Sequence, residues 1–378
     1  MTAPLREQGT TAEPLVEIRD IYSEFVTVDG VAKVLNGVNL TVYKGELLGV
    51  VGETGCGKSV TAMTIPRLVP APPARYTRGE VWFRGENVLT KSGRELRELR
   101  ARHIGVILQD PMTGLNPVFT IEQQMADAIL SRRGEQDARP FTGWLPSNRQ
   151  RRKQACERAL QLLRRVGIPE AERRMRAYPH EFSGGMRQRV LIAMAVAGRP
   201  ELLIADEPTT ALDVSVQAQI LRLIVGLVRE IDLTVLLITH NIGVVAQLCN
   251  RIAVMYAGNM VEIGSTRQIL RSPMHPYTQG LLRAIPTDNV RRGALEGIAG
   301  SVPSLLDPPP GCRFHPRCTA RGAQSRCSVA FPPMVKVATG HTVACVLYEN
   351  GQPPPCADSD SPLISQGGAL PLSAGIPS

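Results

Sequence analysis

The sequence predicts an α/β fold: a sheet core with a β-rich N-terminal region and a helical region. Three observations predict it. A glycine-rich loop, Gly52 to Ser59, lies between an apolar strand, LLGVV, and a helical stretch that begins near Ser59. Two compact apolar runs, LLIAD and TVLLITH, bracket a helical pattern from Val214 to Glu230, and such runs suit strands buried on both faces of a parallel sheet. Residues 14 to 51 alternate in hydropathy, whereas 112 to 200 carry the 3.6-residue period of helices.

Each element has a local justification. The turn pairs Asp29-Gly30 and Lys44-Gly45 divide residues 14 to 51 into short strands. ACERALQLLRRVGI repeats its apolar positions at helical spacing, and Val190 to Ala197 forms a nearly all-apolar helix. Residues 134 to 153 are polar, broken by Gly and Pro, and are expected to form a flexible insertion whose Arg149, Arg151, Arg152 and Lys153 are a solvated loop and helix start. A short helical region follows Gly264. The segments 1 to 13 and 351 to 378 are expected to be flexible, the second being rich in Pro, Ser and Gly.

Composition narrows the function classes. With 43% hydrophobic and 20% charged residues among 378, the chain can bury a core and exceeds one minimal domain. No apolar run of about 18 residues suggests a bilayer span, and the N-terminus lacks a secretory h-region. The chain is therefore expected in the cytoplasm. The net charge of +9 comes from arginines spread along the chain, and only 4% of residues are aromatic. Without aromatic-basic interleaving, no nucleic-acid partner is expected.

Gly52-Glu53-Thr54-Gly55-Cys56-Gly57-Lys58-Ser59 fits G-x-x-x-x-G-K-[ST] in full. Glycines let backbone N–H groups curl around phosphate oxygens; Lys58 would reach the β- and γ-phosphates and Ser59 would ligate Mg²⁺. The second half of such a site is Asp206-Glu207, two adjacent acids at the end of a buried strand. Burial and like-charge repulsion make that pair costly unless a cation and phosphate chemistry relieve it. Asp206 is placed to hold Mg²⁺ and Glu207 to polarise the attacking water.

Phe182-Ser183-Gly184-Gly185-Met186-Arg187-Gln188-Arg189 resembles the signature segment of ABC-type ATPases, with Met186 where the commonest version has Gln. In the same series Gln109 resembles the Q-loop, Ala211-Leu212-Asp213 the D-loop, His240 the switch histidine and Phe25 the aromatic that stacks on adenine. Asn241 stands where many relatives carry Asp. The resemblance implies a P-loop NTPase cassette of ABC type, with a RecA-like mixed sheet, an antiparallel β subdomain and a helical subdomain at about 112–200. It implies that Phe25, Gly52, Gly55, Cys56, Gly57, Lys58, Ser59, Val60 and Gln109 bind ATP, and that Ser59, Gln109 and Asp206 hold Mg²⁺. Glu207 and His240 would be catalytic. Ser183, Gly184, Gly185 and Met186, with Asp213, would face the ATP of an opposing subunit.

QDPMTGLNPVFTIEQQ, AYPHEFSGGMRQRV and ADEPTTALDVSVQAQIL are similar to importers of oligopeptides, dipeptides and nickel, as are SPMHPYT and GCRFHPRC further on. The similarity covers about residues 14 to 350, read as a cassette at 14–265 and an extension at 266–350. It implies a homologous second ATPase subunit, two permease subunits, an extracytoplasmic substrate-binding protein, and a peripheral position on the cytoplasmic face of the inner membrane. A soluble repair ATPase would need a long coiled coil between Lys58 and Asp206, which the chain lacks; translation-type proteins carry two cassettes, and this chain has one. A regulatory, iron–sulfur-sensing ATPase is a third class.

Five of eight cysteines, Cys312, Cys318, Cys327, Cys345 and Cys356, crowd the C-terminal part. The first four can hold a [4Fe–4S] cluster or a zinc ion, or remain metal-free thiols. No C-x-x-C pair of a zinc ribbon is present, and the resemblance implies the cluster. His315 is a substitute ligand or a turn cap, and Cys356 lies in the tail.

Overall fold

The computed structural model describes residues 13–110, 113–132, 146–210, 212–284, 297–320 and 325–349. The N-terminal alternation folds into β1 (Pro14–Thr27) and β2 (Gly30–Tyr43), paired antiparallel around the Val28-Asp29 turn. After β3 (Leu47–Val51) and α1 (Lys58–Thr64), β4 (Ala74–Phe83) and β5 (Glu86–Asn87) return to that pair, giving a four-stranded antiparallel sheet of order β2-β1-β4-β5. Next come α2 (Gly93–Arg102), closed by a Ser92/Glu95 capping box, and β6 (Ile104–Ile107).

The helical region holds α3 (Ile121–Ser131), α4 (Pro146–Arg165), α5 (Ala171–Arg174) and α6 (Gly184–Val196). The insertion reading needs correction here. Residues 134–145 lie outside the described residues, but 146–153 form the first turns of α4. Proline is tolerated at a helix start, because its missing N–H has no helical partner there. Arg152 lies 3.8 Å from Asp127 of α3. The stretch from Thr113 to Thr120 precedes α3 as non-helical chain, so the helical region begins later than residue 112.

The chain then returns to the central sheet with β7 (Leu202–Asp206), α7 (Val214–Ile231), β8 (Thr234–Thr239), α8 (Ile242–Leu248), β9 (Arg251–Tyr256) and β10 (Asn259–Ser265). α9 (Thr266–Arg271), α10 (Pro276–Arg283), β11 (Val335–Ala338) and β12 (His341–Val343) complete it. Its order is β11-β12-β10-β9-β3-β8-β7-β6: β9 to β6 run parallel, and β10, β12 and β11 are added antiparallel. The sheet therefore runs on past residue 265, with Glu262 of β10 opposite Val343 of β12.

The apolar runs are continuous because both sheet faces are covered. Leu47, Val51, Leu203, Ala205, Val235, Leu237, Ile252 and Val254 face the helices. Their neighbours Leu48, Val50, Leu202, Ile204, Leu236, Ile238, Ala253 and Met255 face the antiparallel sheet, against Val16, Ile18 and Val38. With a period of two, each strand supplies both cores. Each fully buried aliphatic side chain contributes about 1.5–3 kcal/mol, so the parallel strand ends that carry the polar site are held rigidly.

Candidate functional site

The loop after β3 closes tightly against β9. A Cβ on Gly52 would stand 2.1 Å from the Met255 carbonyl oxygen, so only glycine lets the chain pass. Lys58, only 5% exposed, donates through Nζ to the Gly52 and Glu53 carbonyls at 2.8 Å each, and Nζ lies 3.8 Å from Cys56 Sγ. Gly55 is at the loop tip, Cys56 is buried beneath it, and Val60 packs against the core beside the antiparallel sheet.

Parallel pairing of β3, β8 and β7 brings their C-terminal ends to one edge. Ser59 Oγ donates to Asp206 Oδ1 at 2.9 Å. Burial pushes the Asp206 carboxyl up; the Ser59 hydrogen bond and Lys58 oppose that rise, and the neighbouring Glu207 charge adds to it.

Glu207 leaves the strand at φ 46°, in the left-handed region that non-glycine residues rarely adopt. Its N–H donates to the Ile238 carbonyl of β8 at 2.9 Å, and its carboxylate is gripped on both oxygens. Gln109 Nε2 at 3.1 Å and Thr210 Oγ1 at 2.8 Å donate to Oε2, while His240 Nδ1 lies 3.1 Å from Oε1. Burial alone would raise this carboxyl, but the Thr210 and His240 hydrogen bonds, with the charges of His240 and Lys58, hold it below its ordinary value. Asp206 and Glu207 are thus adjacent carboxylates pushed in opposite directions. Thr210 went unnoticed in the sequence; its signal was a hydroxyl three residues after the acid.

Asn241, the departure from the usual Asp, caps α8 by accepting the Val244 N–H at 3.3 Å. Phe25 is half-buried on β1, opposite Ala32 and Ala74. Ser183 caps α6, its Oγ accepting the Met186 N–H at 3.3 Å. A Cβ on Gly185 would meet Val216 Cγ1 at 2.6 Å, and Gln188 Nε2 donates to the Pro208 carbonyl at 2.7 Å. Gly185 is therefore set against α7 and Gly184 against Leu212 just before it; the exposed α7 cap Asp213 accepts the Val216 N–H at 2.9 Å. Ala211 lies outside the described residues.

The four C-terminal cysteines gather in one patch. The Cys312 N–H donates to the Cys327 carbonyl at 2.8 Å. Burial pushes the Cys345 thiol up to about 12, with Cys312, Cys318 and Cys327 adding to the rise, and pushes Cys312 up to about 11. Among the described residues no three His, Cys, Asp or Glu side chains close on a single metal ion. His315 Nδ1 lies 2.9 Å from the Cys312 carbonyl, inside its own turn. Cys356 lies outside the described residues.

No helix among the described residues is long and apolar enough to cross a membrane. Residues 35–210 match the ABC transporter family model, and residues 261–327 match the model of the oligopeptide/dipeptide transporter C-terminal region. A probable peptide ABC transporter ATP-binding protein of Sinorhizobium fredii is 47% identical over 90% of this chain and 96% of its own length. A dipeptide transport ATP-binding protein of Bacillus subtilis is 42% identical over 89% and 96%, and an oligopeptide transport ATP-binding protein of Salmonella typhimurium is 43% identical over 88% and 94%. A cassette solved as a dimer with ADP and inorganic phosphate superposes with a TM-score of 0.55 at 28% identity, covering 67% of this chain and 99% of that one. The chain belongs to the ABC transporter family, as an ATP-binding subunit whose C-terminal region is that of the oligopeptide and dipeptide transporters.

Proposed function

We propose that this chain hydrolyses ATP to energise an importer of oligopeptides or dipeptides, with the nucleotide bound across the ends of β3, β7 and β8. The observation that carries the reading is the Glu207 carboxylate, held by Gln109, Thr210 and His240 beside the Ser59–Asp206 contact. Lys58 would exchange its two loop carbonyls for the β- and γ-phosphates, and loop N–H groups from Gly52 to Val60 would cradle the rest. Phe25 would stack on the adenine. Glu207, ionised and oriented, would take the proton of the attacking water, and His240 would hold both Glu207 and the γ-phosphate.

The donor set fits magnesium: Ser59 Oγ and Asp206 Oδ1 are hard oxygens 2.9 Å apart, and Mg²⁺ commonly takes few protein ligands beside phosphates and waters. Gln109 would add its carbonyl oxygen. Bound there, the ion would offset phosphate charge and the repulsion between the two acids.

Ser183, Gly184, Gly185 and Met186, with Asp213, would serve the ATP of a second, homologous subunit. This chain would sit at the cytoplasmic face of the membrane, against two permease subunits that span it and receive substrate from an extracytoplasmic binding protein. The printed names of the relatives support the peptide class, and the dimeric neighbour supports paired cassettes. A [4Fe–4S] cluster on Cys312, Cys318, Cys327 and Cys345 is the reading that the sequence resemblance favours for this cysteine patch. No step of ATP hydrolysis needs it.

The test is peptide uptake and ATP turnover in proteoliposomes containing the full transporter. Glu207→Gln should retain MgATP binding while turnover falls by about 10²–10⁴-fold, the range for losing a general base. Unchanged turnover would remove Glu207 from the chemistry, and ATP-dependent uptake of nickel but no peptide would overturn the substrate class.

A further inference from the structure

Two segments of the C-terminal region converge on Glu53, the second residue of the phosphate loop. From α10, Tyr277 Oη accepts the Glu53 N–H at 2.9 Å. From the turn between Cys312 and Cys318, Arg317 Nη1 donates to Glu53 Oε1 at 3.1 Å and Oε2 at 2.9 Å. The arginine is firmly seated: its side chain is 8% exposed, Nη1 also reaches Tyr256 Oη at 3.2 Å, Nε donates to the Ala299 carbonyl at 2.9 Å, and Nη2 to the Ile298 carbonyl at 3.0 Å. Tyr256, Tyr277 and Phe314 pack ring to ring behind it, with centroids 4.6–5.3 Å apart.

Glu53 is an awkward residue for this loop. Its main-chain carbonyl receives Lys58 Nζ, and its carboxylate adds a negative charge to the very loop that a triphosphate needs. A negative charge there repels the ligand and competes for the cation, and partial burial strengthens both effects. We propose that Arg317 is a positioning residue for nucleotide binding: it neutralises Glu53 and holds that carboxylate back, so that the phosphate loop receives the triphosphate without its repulsion. The proposal rests on the phosphate-loop reading above. It gives the SPMHPYT and GCRFHPRC segments, which supply Tyr277 and Arg317, one shared task at the nucleotide site.

The experiment measures MgATP and MgADP dissociation constants of the full-length chain with a fluorescent nucleotide. Arg317→Met should weaken MgATP binding by about tenfold, equivalent to ~1.4 kcal/mol, and MgADP binding by less, because repulsion grows with phosphate charge. Glu53→Gln should tighten MgATP binding by about twofold, and the double variant should recover most of the loss, since without the carboxylate there is nothing for Arg317 to neutralise. A purely structural arginine would leave the double variant as weak as Arg317→Met, and that result overturns the proposal. So does an unchanged dissociation constant in Arg317→Met. If Arg317→Met fails to fold, Glu53→Gln decides alone, and weaker MgATP binding by it overturns the proposal. Lys58→Ala separates the two readings: binding lost there but insensitive to Arg317 sinks this inference only, whereas binding retained there sinks the loop reading itself.

Discussion

Two of the Glu–His contacts among the described residues are of similar length and lie in opposite surroundings. Glu207 and His240 stand 3.1 Å apart at the strand ends, with side-chain exposures of 11% and 58%. Glu262 and His341 stand 2.8 Å apart in the seam of β10, β12 and α10, with exposures of 0% and 2%. Glu262 also accepts the Met274 and His275 N–H groups at 2.8 and 2.9 Å, so the buried carboxylate is enclosed by donors. The first pair leaves its imidazole open to a ligand; the second ties the C-terminal strands and helix to the cassette. Surroundings, not residue types, separate the pair we propose for hydrolysis from the structural one.

One substitution applied to both pairs should dissociate the two roles. Glu207→Gln should cost two or more orders of magnitude in turnover yet shift unfolding free energy by only about 1 kcal/mol, since glutamine keeps the size and one acceptor oxygen of the carboxylate. Glu262→Gln should do the reverse. Its amide would turn an N–H toward a buried donor, at a cost of about 3–5 kcal/mol by urea unfolding. Comparable loss of stability in both variants would erase the distinction.

Acid should strike the buried seam through His275. Its Nδ1 accepts the Tyr277 N–H at 3.0 Å, and burial lowers the imidazole to about 4 while Glu262 partly opposes the shift. A depressed histidine means the unfolded chain takes up the proton first. The stability it contributes is complete above the unfolded value of about 6.5 and is lost as pH falls towards 4, on the order of 3 kcal/mol in all. Melting temperature followed across that window should fall on acidification, and more weakly in His275→Gln. A flat profile would take His275 out of the seam's energetics.

The smallest effect concerns the clasp on Glu207. Thr210→Val removes one donor to the carboxylate, so turnover should fall by about tenfold with MgATP affinity kept, the usual worth of a hydrogen bond to a charged group. Unaltered turnover would leave Gln109 and His240 to orient Glu207 alone.

Much of the site was legible because its signals are short-range. The loop from Gly52 to Ser59, the acids closing LLIAD and the apolar runs are set by spacing within a few residues. The helix start near Arg149 was read, but the insertion was carried too far, to residue 153, for the same local reason: Gly and Pro up to residue 146 suggested a loop, although proline is compatible with a helix's first turn. Thr210 was local but its spacing from the acid was a weak signal, because the left-handed turn at Glu207 is what brings its hydroxyl back onto the carboxylate.

By itself the sequence determined the doubly covered parallel strands and the residues that end them, since periodicity dictates which faces are buried and each strand end follows. Only the tertiary structure decided that β12 and β11 extend the cassette's own sheet, that the His341 imidazole on Glu262 is enclosed while the His240 imidazole on Glu207 is exposed, and that Arg317 reaches Glu53 across 264 positions. The physical reason is that an edge strand recruits its partner through backbone groups, which carry no side-chain signature. A contact between distant segments must also repay the entropy of closing the loop between them, and the packed core supplies that, not the two residues that meet.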